Sequence, residues 1–411
     1  MAELKPGGRG ARAGARQPGA GQPGAGQPGA GQPGTGRPGA RQAREDGTRE
    51  AGAGQGGAGP GGAGPGGEPL ARVTLQDVAD RAGVSLSTAS RVVNEGSRRV
   101  GPRLADRVTK AVAELGYMAN LQARAVATGQ STMMGVIVHD IADPYFSSIA
   151  AGLMEISHAG GLLACVSSTA AGEAGELDYV SLMRAQRARA VVLVGSRSAD
   201  AAATAALRAE IGAFTRDGGR AVCVGQDLLG IDTILPGNAG GAEALAGALV
   251  ALGHREFAVL AGPDRLVTAR DRVAGFAAGL AAWSVSLEPR RVIHGAFTRD
   301  GGYQAMSAIL AAGGTPPDCV FAVNDVMAVG ALARLRADGL AVPADIAVAG
   351  FDDITTLRDI YPPLTTVRLP LKQMGEMAAS LVLQEADQPR VIPVPGEVIL
   401  RDSTLPRPGR H

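Results

Sequence analysis

The sequence predicts a chain in three parts: a low-complexity tail, a small all-α helix-turn-helix head, and an α/β body built on parallel, doubly wound sheets. Three observations carry this. Composition changes abruptly near residue 69, from Gly, Ala, Pro, Gln and Arg to patterned apolar sequence. The segment 69–131 then shows helix caps and apolar stripes at helical spacing. From Met133 to Arg401, apolar runs of strand length alternate with Ala-rich helical stretches, the pattern of successive βα units. The expected boundaries are 1–68 for a disordered tail, 69–119 for the head, 120–131 for a linker, 132–402 for the body and 403–411 for a flexible C-terminus.

At 411 residues the chain exceeds one average domain, and 45% hydrophobic residues supply a sizeable core. Aromatics are only 3%, so that core must be built from Ala, Val, Leu and Ile. The three cysteines, Cys165, Cys223 and Cys319, each sit inside an apolar run and are read as core residues. Scattered and odd in number, they suit neither a disulfide framework nor a zinc site. No apolar stretch approaches the ~18 residues that span a bilayer, and the N-terminus lacks the apolar region of a secretory signal. A cytoplasmic protein is expected. The net charge of +1 is uneven along the chain. Segments 1–68 and 69–131 are basic, and the remainder is mildly acidic. A basic head on an acidic body suits a nucleic-acid reader with a separate sensor.

Residues 1–68 include the near-repeat GAGQP starting at Gly19. Such sequence has little to bury and cannot offset its ordering entropy. A flexible coil spanning about 45 Å is expected, either a tolerated extension or a weak, non-specific DNA contact through its arginines. The head begins with Thr74 and Asp77, which form a T-x-x-D capping box. Leu75, Val78, Ala79 and Ala82 make the apolar stripe of the first helix. Gly83 ends it in a left-handed conformation, and Val84 turns into the core. Ser85 caps a second helix that buries Ala89, Val92 and Val93. Leu86, Ser87, Thr88, Ser90 and Arg91 are left outward near its N-terminal end, where such a helix meets base edges and phosphates in a major groove. A third helix follows, with Leu104, Val108, Ala111, Val112 and Leu115 spaced to cover the first two, and Gly116 stops it.

These residues resemble the headpiece of the lactose-repressor (LacI/GalR) family, whose signature reads roughly V-T-x-x-D-V-A-x-x-A-G-V-S-x-x-T-x-S-R-V-x-N. The run from Val73 to Asn94 matches it in order and without gaps. The resemblance implies DNA contacts at Thr74, Leu86, Ser87, Thr88, Ser90, Arg91 and Asn94. Arg98, Arg99 and Arg103 are implied near the phosphates. The family continues through Gly-Tyr-x-Pro-Asn into a hinge helix. Here Gly116-Tyr117-Met118-Ala119-Asn120 stands in its place, which implies hinge contacts at Asn120, Ala123, Arg124 and Val126. Three departures bear on affinity. Ala119 replaces a proline that would preset φ at the hinge start. Val126 replaces a leucine that the family wedges between base pairs in the minor groove. Gly101 replaces a serine cap.

In the body, strands are expected at Met133–Val138, Leu162–Ser167, Ala190–Val194, Ala221–Gly225, Phe257–Ala261, Arg291–Ile293, Cys319–Val323 and Ile346–Gly350. Ligands bind at the carboxyl ends of such parallel strands. The segment is long for one sheet and resembles the family's two-lobed, periplasmic-binding-protein-like sensor. The motifs that carry this are Asp140-Ile-Ala-Asp143-Pro144-Tyr145-Phe146, Thr268-Ala-Arg270-Asp-Arg272, Ala322-Val323-Asn324-Asp325, Gly350-Phe351-Asp352-Asp353 and Pro363-Leu-Thr365-Thr366. Asp140, Tyr145, Phe146, Gln226, Arg272, Phe297, Asn324 and Asp352 are the expected effector contacts. Arg272 brings fixed donors, Asp352 accepts hydroxyl protons, and Asn324 does both. Phe146 and Phe297 offer apolar faces to a sugar ring or base. Asp353 and Thr365 are read as turn-shaping residues.

Enzyme chemistry finds little support. His139 beside Asp140 is the only suggestive pair, and no G-x-S-x-G, P-loop or H-E-x-x-H is present. The resemblance therefore implies a transcription regulator, not an enzyme. It would need no cofactor or metal. Its partners would be an operator in double-stranded DNA, a small polar effector of the sugar or nucleoside class, and a second copy in a homodimer. A cytoplasmic small-molecule (sugar) sensor whose head has a weak DNA-binding role or none is the alternative.

Overall fold

The computed structural model describes residues 73–95, 100–118, 131–169 and 174–406. The tail reading and the hinge residues Ala119, Asn120, Ala123, Arg124 and Val126 lie outside the described residues, as do Arg98 and Arg99.

The head is three helices: α1 (Leu75–Ala82), α2 (Leu86–Glu95) and α3 (Pro102–Leu115). Thr74 and Asp77 form the full capping box, and Gly83 and Gly116 close α1 and α3 at φ of 60° and 62°. Ser85 Oγ accepts from the Thr88 amide at 3.2 Å. The core is Val78, Ala79, Ala82, Ala89, Val108 and Ala111, with Leu75, Val84, Val92, Val93, Val112 and Leu115 packed around it. Leu104 departs from the expected stripe. It is exposed, and Ala105 takes the buried position, because 105, 108 and 111–112 align at helical spacing while 104 lies one residue (about 100°) off that face. Two polar ties add to this core. Arg81 pairs with Glu114 at 2.6 Å, and Arg107 donates to the Gly83 carbonyl at 3.2 Å.

The body holds two parallel sheets. The first lobe carries β1 (Met133–Val138), β2 (Leu163–Ser168), β3 (Ala190–Val194), β4 (Arg220–Val224), β5 (Asp232–Pro236) and β11 (Val391–Val394), in spatial order β11-β5-β4-β3-β1-β2. The second carries β6 (Phe257–Ala261), β7 (Val292–His294), β8 (Cys319–Ala322) and β9 (Ala347–Ala349), in order β7-β6-β8-β9. A two-stranded antiparallel ribbon pairs β10 (Thr366–Arg368) with β12 (Glu397–Ile399). Eight helices complete the body: α4 (Pro144–Ala159), α5 (Ala174–Ala185), α6 (Ala201–Arg216), α7 (Asn238–Ala251), α8 (Val267–Ala282), α9 (Arg299–Ala311), α10 (Asp325–Ala337) and α11 (Leu371–Leu383).

All eight expected strands are present within one or two residues at each end. The four not anticipated are β5, β10, β11 and β12. Each mixes polar or proline residues into a short run, so its apolar signal is weak. A buried charge fixes the returning strand β11. Asp232 accepts from Arg390 Nη2 at 2.7 Å and from the Arg390 amide at 2.8 Å. Burial opposes ionisation of Asp232, but these Arg390 contacts outweigh it and hold the carboxyl below its usual range.

Two further expectations change. Cys223 and Cys319 are buried, but Cys165 is only half-buried, because β2 is an edge strand paired with β1 alone. The C-terminal boundary also moves. Ser403 and Thr404 are buried, and Ser403 Oγ donates to the Val348 carbonyl at 2.6 Å while accepting from the Thr365 amide at 2.8 Å.

Three helix pairs, α4–α11, α7–α8 and α9–α10, cross at glycines. A Cβ on Gly375 would fall 2.0 Å from the Ile149 carbonyl oxygen, and one on Gly330 would fall 1.9 Å from that of Arg299. Backbone cannot yield as a side-chain tip can. Gly330→Ala is therefore expected to lower unfolding free energy by about 2 kcal/mol, within the range of core overpacking. Gly240, in α7 with nothing within 4 Å of its Cβ position, should respond oppositely. Gly240→Ala should add about 0.5–1 kcal/mol by restricting the unfolded chain. Urea unfolding of the two variants side by side checks both signs.

Candidate functional site

The cleft forms where strands of both lobes end. β1 delivers His139 and Asp140, β2 delivers Thr169, and β3 delivers Gly195 and Ser196. From the second lobe, β7 leads into Phe297 and Thr298, β8 into Asn324, and β9 into Asp352. The enclosed volume is about 600 Å³, enough for a small organic ligand.

Arg272, in α8, sits on the floor and is almost fully buried. Its Nε donates to Asn238 Oδ1 at 2.9 Å, Nη1 to the Val323 carbonyl at 2.7 Å, and Nη2 to Asp352 Oδ1 at 2.7 Å. The guanidinium carbon lies 3.9 Å from the centre of the Phe351 ring. One charge is thus held by an amide, a carbonyl, a carboxylate and an aromatic face. Asp352 adopts φ of 116°, a conformation few L-residues tolerate, which turns its carboxyl toward Arg272. Burial raises the Asp352 carboxyl above the usual range, and Arg272 works against that rise.

Other predicted contacts fall on the cleft wall. Asp140 lines it, with Oδ1 accepting the Ala142 amide at 2.9 Å. Asp143 caps α4 by accepting the Tyr145 amide at 2.9 Å, and burial raises its carboxyl. Tyr145 and Phe146 occupy the first turn of α4, edge to face at 5.0 Å. Phe297 packs over Gly262, where a Cβ would fall 1.7 Å from its ring. Asn324 caps α10 through its Oδ1, which accepts the Met327 amide at 2.9 Å. These residues meet, although up to 212 positions separate Asp140 from Asp352 in sequence.

Gln226 is the exception. It does not line the cleft; it is buried behind it. Its Oε1 accepts the Arg197 amide at 2.7 Å and its Nε2 donates to Thr268 Oγ1 at 2.8 Å. It belongs to a seam that joins the lobes. Ser196 Oγ accepts the Thr268 amide at 3.0 Å, the Arg197 carbonyl accepts the Val267 amide at 3.0 Å, and the Arg265 carbonyl accepts the Ala199 amide at 2.8 Å. Behind it, Arg197 makes a bidentate pair with Glu176 at 2.6 and 2.7 Å. Sequence reading missed Ser196, Glu176 and Thr298. The only available signal was that Ser196 lies two residues beyond the end of β3.

On the head, Leu86, Ser87 and Arg91 are exposed on α2, while Thr88 and Ser90 are half-buried. Asn94 belongs to α2, and Arg103 is exposed on α3. Thr74 is exposed, with its side chain engaged in the capping box. Among the described residues no group of His, Cys, Asp and Glu is arranged to hold a metal ion, and no helix is long and apolar enough to cross a membrane.

A helix-turn-helix head carried by a two-lobed α/β body with a ligand-sized cleft defines the architecture of a transcription regulator. Comparison with known proteins agrees. A model of bacterial regulatory proteins of the lacI family matches residues 74–120, and a periplasmic binding protein-like domain matches residues 246–404. The HTH-type transcriptional regulator CelR of Thermobifida fusca is 33% identical over 318 residues, covering 76% of this chain and 91% of its own. A structure of a CelR–cellobiose complex matches with a TM-score of 0.60 at 28% identity, covering 81% of this chain and all of that one. The crystal structure of the Lac repressor dimer bound to operator and the anti-inducer ONPF matches with a TM-score of 0.71 at 30% identity, covering 81% and 99%. The chain belongs to the LacI family of bacterial regulatory proteins, and is a regulator rather than an enzyme.

Proposed function

We propose that this regulator is a cytoplasmic repressor, acting at the nucleoid as a homodimer on a palindromic operator and controlled by a sugar-like or nucleoside-like effector bound between its lobes. The observation that carries the effector class is the buried Arg272–Asp352 pair at the floor of a cleft walled by hydroxyl, amide and aromatic groups. Vicinal hydroxyls satisfy donors and acceptors of that kind, and a ring face suits Phe146 and Phe297. The cellobiose in the CelR structure supports a sugar.

The DNA role follows from α2, with Leu86, Ser87, Thr88, Ser90 and Asn94 reading the major groove and Arg91, Arg98, Arg99 and Arg103 neutralising phosphates. The head, linker and sensor would divide near 69–119, 120–131 and 132–404, with Asn120, Ala123, Arg124 and Val126 contacting the minor groove. One head contacts too few bases for useful specificity, and two-fold symmetry matches a palindrome. The Lac repressor in the operator complex is a dimer. On this chain Leu163 and Val166 of the edge strand β2 and Met154 of the adjacent α4 are exposed apolar residues, which a dimer along the lobes would cover.

Thermal-shift screening against sugars and nucleosides, followed by anisotropy titration of a palindromic DNA library with any hit, tests this. A saturable sugar or nucleoside shift and its effect on DNA binding are expected. Operator affinity should fall steeply with salt through counterion release. Arg91→Ala should weaken binding across sequences and reduce the log K against log salt slope by about 1. A strict monomer in light scattering, or DNA affinity unchanged between low and physiological salt, would contradict the reading.

A further inference from the structure

We propose that a second pocket, lined by both lobes and reached from Asp353 rather than Asp352, binds a small dianion of the phosphate class. Its cavity is about 440 Å³. The second lobe contributes Asp353, Thr355, Arg358, Arg368 and Arg401, and the first lobe contributes Ser148 of α4 and Lys372 of α11. Four cations line it and one carboxylate does.

That carboxylate is already committed. Asp353 Oδ2 accepts from Arg368 Nε and Oδ1 from Arg401 Nη2, both at 2.7 Å. One negative charge thus serves two guanidiniums. The remaining Arg401 contact, Nη1 to the Leu364 carbonyl at 2.8 Å, brings no compensating charge. Acids outside the lining do little more. Glu397 lies 3.5 Å from Arg368, with Glu155 at 2.8 Å and Glu376 at 3.6 Å from Lys372. The side chains of Glu397 and Glu155 are 68% and 61% exposed, so water screens their charge, and Glu376, 35% exposed, offsets Lys372 alone. Arg358 forms no ion pair among the described residues.

The backbone adds to the same field. The 13-residue α11 begins after Pro370 with no side-chain cap, and its first residues, Leu371 and Lys372, line the pocket. The Leu371 amide already donates to the Leu369 carbonyl at 2.8 Å, but an uncapped helix N-terminus still carries partial positive charge. Arginine forks match the oxygens of a phosphate, and the Ser148 and Thr355 hydroxyls are further donors. A chloride ion would leave most of this volume empty. Orthophosphate fits, and so does the phosphate of a small phosphomonoester. Because both lobes supply groups, occupancy ties them together and raises stability by linkage. This site is independent of the effector reading, so its failure leaves the cleft assignment standing.

The test is thermal unfolding and titration calorimetry of the full chain in potassium phosphate, in glycerol phosphate, and in potassium chloride at matched ionic strength. A saturable rise in Tm with phosphate beyond that with chloride is expected. Arg358 is exposed and makes no hydrogen bond or ion pair among the described residues, so Arg358→Gln should leave the anion-free Tm unchanged while weakening phosphate binding roughly tenfold, the effect of one lost charge-assisted contact. Equal binding of the two phosphates identifies the phosphomonoester dianion as the recognised group, and stronger binding of orthophosphate identifies the free ion. Phosphate acting no more strongly than chloride, or saturation unaltered by Arg358→Gln, overturns the proposal.

Discussion

Arg272→Ala is expected to abolish effector binding and to destabilise the sensor by about 3–5 kcal/mol, the loss typical when one partner of a buried ion pair is removed. The size follows from what the guanidinium leaves behind. Asp352 loses its counter-charge, Asn238 Oδ1 and the Val323 carbonyl lose their donors, and Phe351 loses the cation stacked on it. Desolvation already raises the Asp352 carboxyl. Without Arg272 nothing opposes that rise, and the protonated carboxyl would present a hydroxyl where the effector meets an acceptor. Asp352→Asn separates binding from folding. It keeps the shape of the turn and an oxygen for Arg272, while removing the charge, so effector affinity should fall at least tenfold with a smaller change in Tm. Calorimetric titration of the strongest sugar or nucleoside hit measures the first effect, and urea unfolding the second. Operator affinity in the absence of effector should be retained, because the head has its own core of Val78, Ala79, Ala89 and Val108. A parental response to effector in both variants would remove these residues from the site.

The parts of the fold legible in sequence are those with strong local periodicity. Runs such as Ala190–Val194 and Phe257–Ala261 are buried throughout, so their continuous apolar sequence announces a two-sided parallel strand. The head was equally legible, because each cap is a local arrangement: Thr74 with Asp77, Ser85 with Thr88, and glycine at positions 83 and 116. The strands β5 and β11 were not, since their stability comes from pairing across more than 150 residues and from the Asp232–Arg390 contact. Local sequence holds no trace of such a partner.

The cleft divides along the same line. Asp140, Asn324 and Asp352 were found because each follows a strand that the sequence marks clearly. Arg272 was found through the motif on α8. Gln226 follows β4 just as plainly, yet it braces the lobes instead of lining the cleft. Its role depends on Thr268 and Arg197 arriving from two different elements, and no reading of its own neighbourhood distinguishes brace from contact. Asp353 is a similar case. Sequence suggests a turn residue, and its φ of 55° agrees, but its carboxyl also anchors Arg368 and Arg401 from the ribbon and the C-terminal segment.

Stability is expected to fall as pH rises from about 4 to about 6, and Asp325 is one cause. This residue is fully buried at the start of α10. Desolvation pushes its carboxyl up to about 6, with repulsion from Asp353 adding to the rise. The Thr366 hydroxyl at 2.7 Å, the Ile354 amide at 3.0 Å and the Arg272 charge oppose it. The folded state therefore binds a proton that the unfolded chain, titrating near 3.9, has released. Folding is favoured most below the unfolded value and loses that advantage as pH climbs through the folded one. A displacement of about two units corresponds to roughly 3 kcal/mol, at 1.36 kcal/mol per unit. Asp232, held low by Arg390, has the opposite sign, but its effect is confined to pH below about 4. Burial shifts Asp352 in the same direction as Asp325 and further, so the parent's profile contains both and keeps falling above pH 6. Asp325→Asn isolates the first. Its amide oxygen still accepts from the Ile354 amide, and its NH2 donates to a rotated Thr366 hydroxyl, so both contacts keep a hydrogen bond and the cost of that rearrangement is independent of pH. Urea unfolding at pH 4, 5, 6 and 7 should show the variant gaining on the parent as pH rises, by roughly 2 kcal/mol at pH 7 relative to pH 4. Parallel profiles for parent and variant would mean that the Asp325 carboxyl is ionised throughout this range.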